Sequence, residues 1–110
     1  MNNRELAIEF LRCFCAGDVS GLASILAEDL QFRGPFHHFG SSQAYLDSLE
    51  AEPPEKCGYR VLSITENGDS VSVYYDYEKS DRTITVAQLF TIADQRIGQI
   101  LLVFDGRGFA

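Results

Sequence analysis

The stretch that decides the fold is Val71-Ser72-Val73-Tyr74-Tyr75-Asp76-Tyr77-Glu78, a turn at Ser80-Asp81, and then Arg82-Thr83-Ile84-Thr85-Val86-Ala87-Gln88-Leu89-Phe90-Thr91-Ile92. Successive side chains on a strand point to opposite faces, so each run divides into two sets. In the first, Val71, Val73, Tyr75 and Tyr77 share a face, and Ser72, Tyr74, Asp76 and Glu78 share the other. In the second, Ile84, Val86, Gln88, Phe90 and Ile92 form the inward face, opposite Thr83, Thr85, Ala87, Leu89 and Thr91. Alternation over runs this long is the signature of half-buried antiparallel strands.

Working outward, Tyr59 to Thr65 reads as the strand before this pair, joined to it through Glu66-Asn67-Gly68-Asp69. Asn-Gly is the strongest short hairpin signal. On the other side, Asp94-Gln95 begins a turn, Arg96 to Asp105 reads as the last strand, and Gly106 to Ala110 as a tail. Both faces of the last strand are apolar in the middle, which suits burial on two sides. The N-terminal half is different. Leu6, Ala7, Phe10, Leu11 and Phe14 recur at helical spacing over Asn3 to Ala16, with Gly17 as a stop and Asp18 as the cap of a second helix reaching about Ala27. Leu30-Gln31-Phe32-Arg33 reads as a short strand broken by Gly34-Pro35, and Phe36 to Gly40 as a loop. Ser41 or Ser42 caps a third helix carrying Ala44, Tyr45, Leu46 and Leu49, and Ala51 to Glu55 forms a stiff Pro-Pro connection. Helices followed by a meander give an α+β layer fold: three N-terminal helices on a strongly curved, mostly antiparallel sheet, enclosing a pocket, in a single domain over residues 1–110.

Composition narrows the functional classes. The chain has 45% hydrophobic and 23% charged residues and a net charge of −7. No Lys/Arg stripe is present, so nucleic acid and anionic membranes, which require neutralised phosphates, are not expected partners. No apolar run approaches the roughly 20 residues of a membrane span, and the first residues lack a signal-peptide pattern. The three cysteines, Cys13, Cys15 and Cys57, are an odd number and read as reduced thiols in a cytoplasmic setting. Their spacing is not that of a metal or redox site. No metal and no cofactor is expected.

Gln88 interrupts the inward face of its strand. A buried amide without partners costs about 1–3 kcal/mol, so it needs a structural hydrogen bond, a water or a ligand. Asp105 closes the last strand, where a carboxylate at a pocket mouth can act as acid or base or simply end the strand in solvent. His37 and His38 lie between Phe36 and Phe39 with no Asp, Glu or Cys at short ligand spacing; a structural or exposed role fits them better than metal binding, and an acid–base role remains open.

Four strings, in this order, resemble the nuclear transport factor 2-like superfamily, which includes SnoaL-like polyketide cyclases and ketosteroid isomerases. They are Phe14-Cys15-Ala16-Gly17-Asp18-Val19-Ser20-Gly21-Leu22, Leu26-Ala27-Glu28-Asp29-Leu30-Gln31-Phe32, Gly40-Ser41-Ser42-Gln43-Ala44-Tyr45-Leu46, and Gly98-Gln99-Ile100 through Val103-Phe104-Asp105. The resemblance implies a cone-shaped shell with a pocket between helix one, the loop after strand one and the concave sheet face. It places Phe10, Phe14, Phe32, Phe36, Tyr45, Tyr75 and Phe90 as ligand-binding residues, with Val86, Gln88, and Leu102 or Phe104 beside them. It also implies a homodimer through the sheet face. An isomerase would need a Tyr on helix one, an Asp before the Pro after strand one, and an Asp on the long strand. Those places hold Phe10, Gly34 and Gln88, which do not support that mechanism. Asp105 is similar to a carboxylate used near the last strand by some SnoaL-like cyclases and epoxide hydrolases. Asp105, Gln88 and His38 are therefore the catalytic candidates, for acid/base work on a small apolar molecule. The alternative is a non-catalytic ligand-binding or dimerisation module, because this fold serves many functions.

Overall fold

A computed structural model describes residues 1–109 of the chain. Helix α1 spans Asn3–Ala16. Asn2 and Glu5 cap it reciprocally: the Asn2 side chain accepts from the Glu5 N–H at 2.8 Å, and Glu5 Oε1 accepts from the Asn2 N–H at 2.9 Å, so two of the orphan donors at the helix start are satisfied. Gly17, at φ +72°, ends the helix in the left-handed region, where a residue without Cβ is unstrained. Asp18 then caps α2, Val19–Ile25, by accepting from the Gly21 N–H at 2.9 Å.

Strand β1 runs Leu26–Arg33 and the two-residue β2 is His38–Phe39. Helix α3, Ser42–Ala51, is capped by Ser41, and β3 (Gly58–Asn67), β4 (Ser70–Glu78), β5 (Thr83–Ala93) and β6 (Arg96–Val103) follow. Several bounds differ from the sequence reading. α2 stops at Ile25 rather than about Ala27, because Leu26 is extended and pairs with Ile97 of β6. Tertiary pairing outweighs the helical pattern there. The expected loop at Phe36 to Gly40 contains β2, since Phe32 and Arg33 recruit Phe39 and His38 as partners. β6 ends at Val103, so Asp105 is outside the strand. The C-terminal tail forms a short 3₁₀ turn over Gly106–Phe109, and Ala110 lies outside the described residues.

The six strands form one mixed sheet in the order β2-β1-β6-β5-β4-β3. β1 and β6 are parallel and every other neighbouring pair is antiparallel. The sheet stays open, with β2 and β3 as its edges. Register shifts between Val61 and Ser63 and between Thr91 and Ile92 bend it, as an extra residue on one strand does. The second shift explains the ambiguous parity of β6. Ile97 is buried, and after the irregularity at Gly98 it is Ile100 and Leu102 that turn inward, leaving Gln99, Leu101 and Val103 on the outer face.

The inward sets of β4 and β5 are those read from the sequence: Val71, Val73, Tyr75, Val86, Gln88, Phe90 and Ile92 are all buried. They pack against Leu6, Phe10 and Leu11 of α1 and Leu46 and Leu49 of α3 in a single core. That core leaves an opening bordered by α1, α3, the loop after β1 and the end of β6.

Candidate functional site

The opening is a cavity of about 440 Å³, within the range of ligand pockets. α1 contributes Phe10 and Phe14, β1 contributes Phe32, and the Gly34-Pro35 step carries Phe36 and His37 to the rim. α3 supplies Tyr45 and Ser48 and its C-cap is Glu52, and the sheet floor supplies Tyr75, Gln88 and Leu102, with Phe104 just beyond β6. The aromatic rings form a connected wall. Phe32 and Tyr45 stack with centroids 4.9 Å apart, Phe10 stacks on Phe14 at 6.2 Å, and Phe36 meets Phe104 edge-on at 5.9 Å. Such offset and edge geometries suit the ring quadrupoles.

The polar end of the cavity is made by β4 and β5. Val73 is the direct cross-strand partner of Gln88, which puts Tyr75 diagonal to it on the same face. That diagonal is within reach of a long side chain, and the Tyr75 hydroxyl donates to Gln88 Oε1 at 2.7 Å. Gln88 is only 3% exposed. Its Nε2 makes no hydrogen bond among the described residues, where no buried side-chain nitrogen or oxygen lacks a partner. Nε2 therefore reaches open space, and the open space that Gln88 lines is the cavity. The same reasoning turns the Tyr45 hydroxyl toward the cavity. Burial pushes the Tyr45 and Tyr75 phenols well above their usual range, and for Tyr45 the nearby Tyr75 adds to the rise. Both stay neutral donors at physiological pH. With one bond from Tyr75 already on Oε1, the group of the amide left without a partner among the described residues is the Nε2 donor.

Of the sequence candidates, Phe10, Phe14, Phe32, Phe36, Tyr45, Tyr75 and Gln88 line this cavity. Phe90 does not. It is fully buried and packs edge-on against Phe10 at 5.4 Å, behind the wall rather than in it. His38 also lies elsewhere: it is exposed and borders a groove on the outer sheet face with Gln31, Arg33 and Leu89. His37, just before β2, falls on the side of Phe39, on which it stacks at 5.7 Å, and it is this histidine that reaches the cavity. Asp105 is likewise not in the lining. It is exposed beyond the end of β6, and its carboxylate is gripped by Arg107 through contacts of 2.6 and 2.9 Å. Those contacts hold it below the usual carboxylate range. The carboxylate at the rim is Glu52 instead. It could have been found from the sequence, because Tyr45, Ser48, Leu49 and Glu52 follow the i, i+3, i+4, i+7 spacing of one helix face. Ser48 is engaged locally, its hydroxyl donating to the Tyr45 carbonyl at 2.6 Å. Among the described residues no group of three His, Cys, Asp or Glu side chains could hold a metal ion, and no helix is long and apolar enough to cross a membrane.

The SnoaL-like domain family matches residues 7–100 of the chain. Among solved structures, an NTF2-like protein of unknown function from Cytophaga hutchinsonii is 26% identical, with 99% of this chain and 95% of that chain covered and a TM-score of 0.85. An LEH-like epoxide hydrolase from M. tuberculosis is 17% identical, with 92% and 80% covered and a TM-score of 0.75. A de novo designed protein with a curved β-sheet is 16% identical, with 97% and 91% covered and a TM-score of 0.80. No curated protein matches. A designed chain and a hydrolase on one backbone show that the likeness carries fold, and that function has to be argued from the site.

The buried phenols and thiols make stability fall at alkaline pH. Cys15 is pushed up to about 12 by burial and by its contact with Cys57, and Tyr45 and Tyr75 rise above 10.0, mainly by burial. A group raised in the folded state contributes fully below its ordinary value and loses that contribution as pH climbs toward the raised one. The melting temperature is therefore expected to hold level up to about pH 9 and to drop steadily toward about pH 11, less steeply in Tyr45→Phe. Thermal melts across that range check this, and a level profile throughout would contradict it.

Proposed function

The chain belongs to the SnoaL-like domain family, and from that membership we propose that it binds a small, largely apolar molecule in the aromatic cavity. One observation carries the reading: a donor amide, Gln88 Nε2, opens into a space otherwise walled by rings. The ligand is a flat or cyclic molecule that packs against the wall of Phe10, Phe32 and Tyr45 and presents an acceptor, such as a carbonyl oxygen, to Gln88. Acceptor recognition follows from the Nε2 donor, which has no partner among the described residues. The negative charge of the chain favours a neutral or cationic ligand over an anion.

Acid/base turnover is the second reading, and it shifts from the residues first expected. With Asp105 paired to Arg107 outside the lining and His38 on the other face, His37 and Glu52 are the rim groups able to move a proton. Gln88 then orients the acceptor and takes no proton itself. Binding without chemistry is the better supported of the two, since Glu52 is the single carboxylate among the described cavity-lining residues and it is exposed to solvent.

The same reading includes self-association through the outer sheet face. Tyr74, Ala87 and Val103 form one register row there and Leu89 and Leu101 lie in the next, with Tyr74 and Val103 each 52% exposed. The unpaired thiols fit a reducing compartment such as the cytoplasm.

Two outcomes are expected. In a thermal-shift and calorimetric screen of cyclic and aromatic ketones, Gln88→Leu weakens binding of a hit by roughly 3- to 10-fold, the worth of one neutral hydrogen bond. It leaves the matching hydrocarbon unaffected. Pairing it with Tyr75→Phe removes the orphaned hydroxyl and restores stability. Equal loss for both ligands would refute acceptor recognition. In light scattering after gel filtration, the wild type runs as a dimer and Tyr74→Lys/Val103→Asp as a folded monomer; a wild type monomeric at all concentrations would contradict the interface.

A further inference from the structure

The last turn of α1 meets the residue before β3 through two cysteines that are 42 positions apart in the chain. The Cys57 N–H donates to the Cys15 carbonyl at 3.1 Å. That bond sets the two residues side by side, and a disulfide needs Cα atoms roughly 4.4–6.8 Å apart. The side chains converge as well. Burial, and then the neighbouring Cys57 thiol, push the Cys15 thiol up to about 12, and the same two causes raise the Tyr77 phenol on the sheet side. The Cys15 sulfur also lies 4.0 Å from the Gly58 carbonyl. Cys15 is buried and Cys57 half-buried, so only Cys57 is within reach of a reagent in solution. A two-sulfur metal site is not the explanation, since no third ligand stands near among the described residues.

We propose that Cys15 and Cys57 form a reversible oxidation site, in which a hydroperoxide converts the thiol pair into an intrachain disulfide. The Cys57 sulfur attacks the outer peroxide oxygen, the O–O bond breaks, and an alcohol or water leaves, so that Cys57 becomes a sulfenic acid. The Cys15 sulfur then attacks the Cys57 sulfur. The S–S bond forms, the S–O bond breaks, and the departing hydroxide takes the Cys15 proton and leaves as water. Both thiols are oxidised and the peroxide is reduced, so that two thiols and one hydroperoxide give one disulfide, one alcohol and one water. Cys15 is buried and Cys57 is half-buried, so the peroxide meets Cys57 first, and that difference in access sets the order of the steps. Cys13 stays out of the reaction, because its sulfur faces Arg12 and Asp18 on the other side of the helix. The bond fastens α1, which carries the cavity residues Phe10 and Phe14, to β3, the free edge of the sheet.

The test treats the reduced wild-type chain with hydrogen peroxide, alkylates the remaining thiols under denaturing conditions, and maps peptides by mass spectrometry without reductant. The expected product is one disulfide joining the Cys15 and Cys57 peptides, with Cys13 alkylated and all thiols recovered by dithiothreitol. The oxidised chain melts higher by roughly 10 °C, from closing a long loop. Cys13→Ser gives the same disulfide, and Cys57→Ser leaves Cys15 open to alkylation after the same exposure. A chain that keeps all its thiols, that carries Cys57 to the sulfinic acid, or that links only between chains while Cys15 stays alkylatable overturns the proposal.

Discussion

A primary amide on the apolar face of a central strand has to be answered at both ends, and the architecture follows from how Gln88 is answered. Period-two alternation along β5 leaves Gln88 no choice of face: with Val86 and Phe90 inward it is inward too. The β4–β5 register supplies Tyr75 for its oxygen. None of the described residues supplies a partner for its nitrogen. A buried donor without a partner costs about 1–3 kcal/mol, and the fold avoids that by keeping the core from closing over it. The cavity lies where this amide would otherwise be sealed in, and the tyrosines and phenylalanines around it give an apolar ligand its wall.

The sheet curvature that holds the cavity open comes from local breaks in register. The shift at Thr91/Ile92 moves Leu102 inward beside Gln88, which it faces across the β5–β6 ladder. It leaves Leu101 and Val103 on the outer surface. One irregularity thus shapes the floor of the pocket and the exposed face together. The same geometry explains why a designed chain and natural enzymes share this backbone: the curved sheet is a solution to packing, and the chemistry is added by the few residues that point into its hollow.

Much of this was legible in the sequence. The inward set of β4 and β5, α1 from Asn3 to Ala16, and the aromatic character of the pocket follow from periodicity and from residue type. Gln88 was conspicuous because it broke an apolar face. What was not legible depended on contacts distant in sequence. Phe90 shares a face with Gln88, yet α1 covers it with Phe10. His37 and His38 are neighbours, and only pairing with β1 decides which one faces the cavity. Asp105 is the exception: β6 stops at Val103, and a local partner, Arg107, holds the carboxylate outside the lining. The proximity of Cys15 and Cys57 has no local spacing signal, because it is created by the return of the chain after α3.

The central claim is that the Gln88 side-chain N–H₂ faces the cavity and awaits an acceptor. Nitrogen-15 NMR of that group, assigned by its loss in Gln88→Leu, measures this most directly. On titration with a ring ketone its protons should move downfield, and they should stay still with the hydrocarbon of the same shape. Side-chain protons that are already downfield in the free protein, and that do not respond to either molecule, would show the nitrogen to be bonded within the fold and would contradict the account.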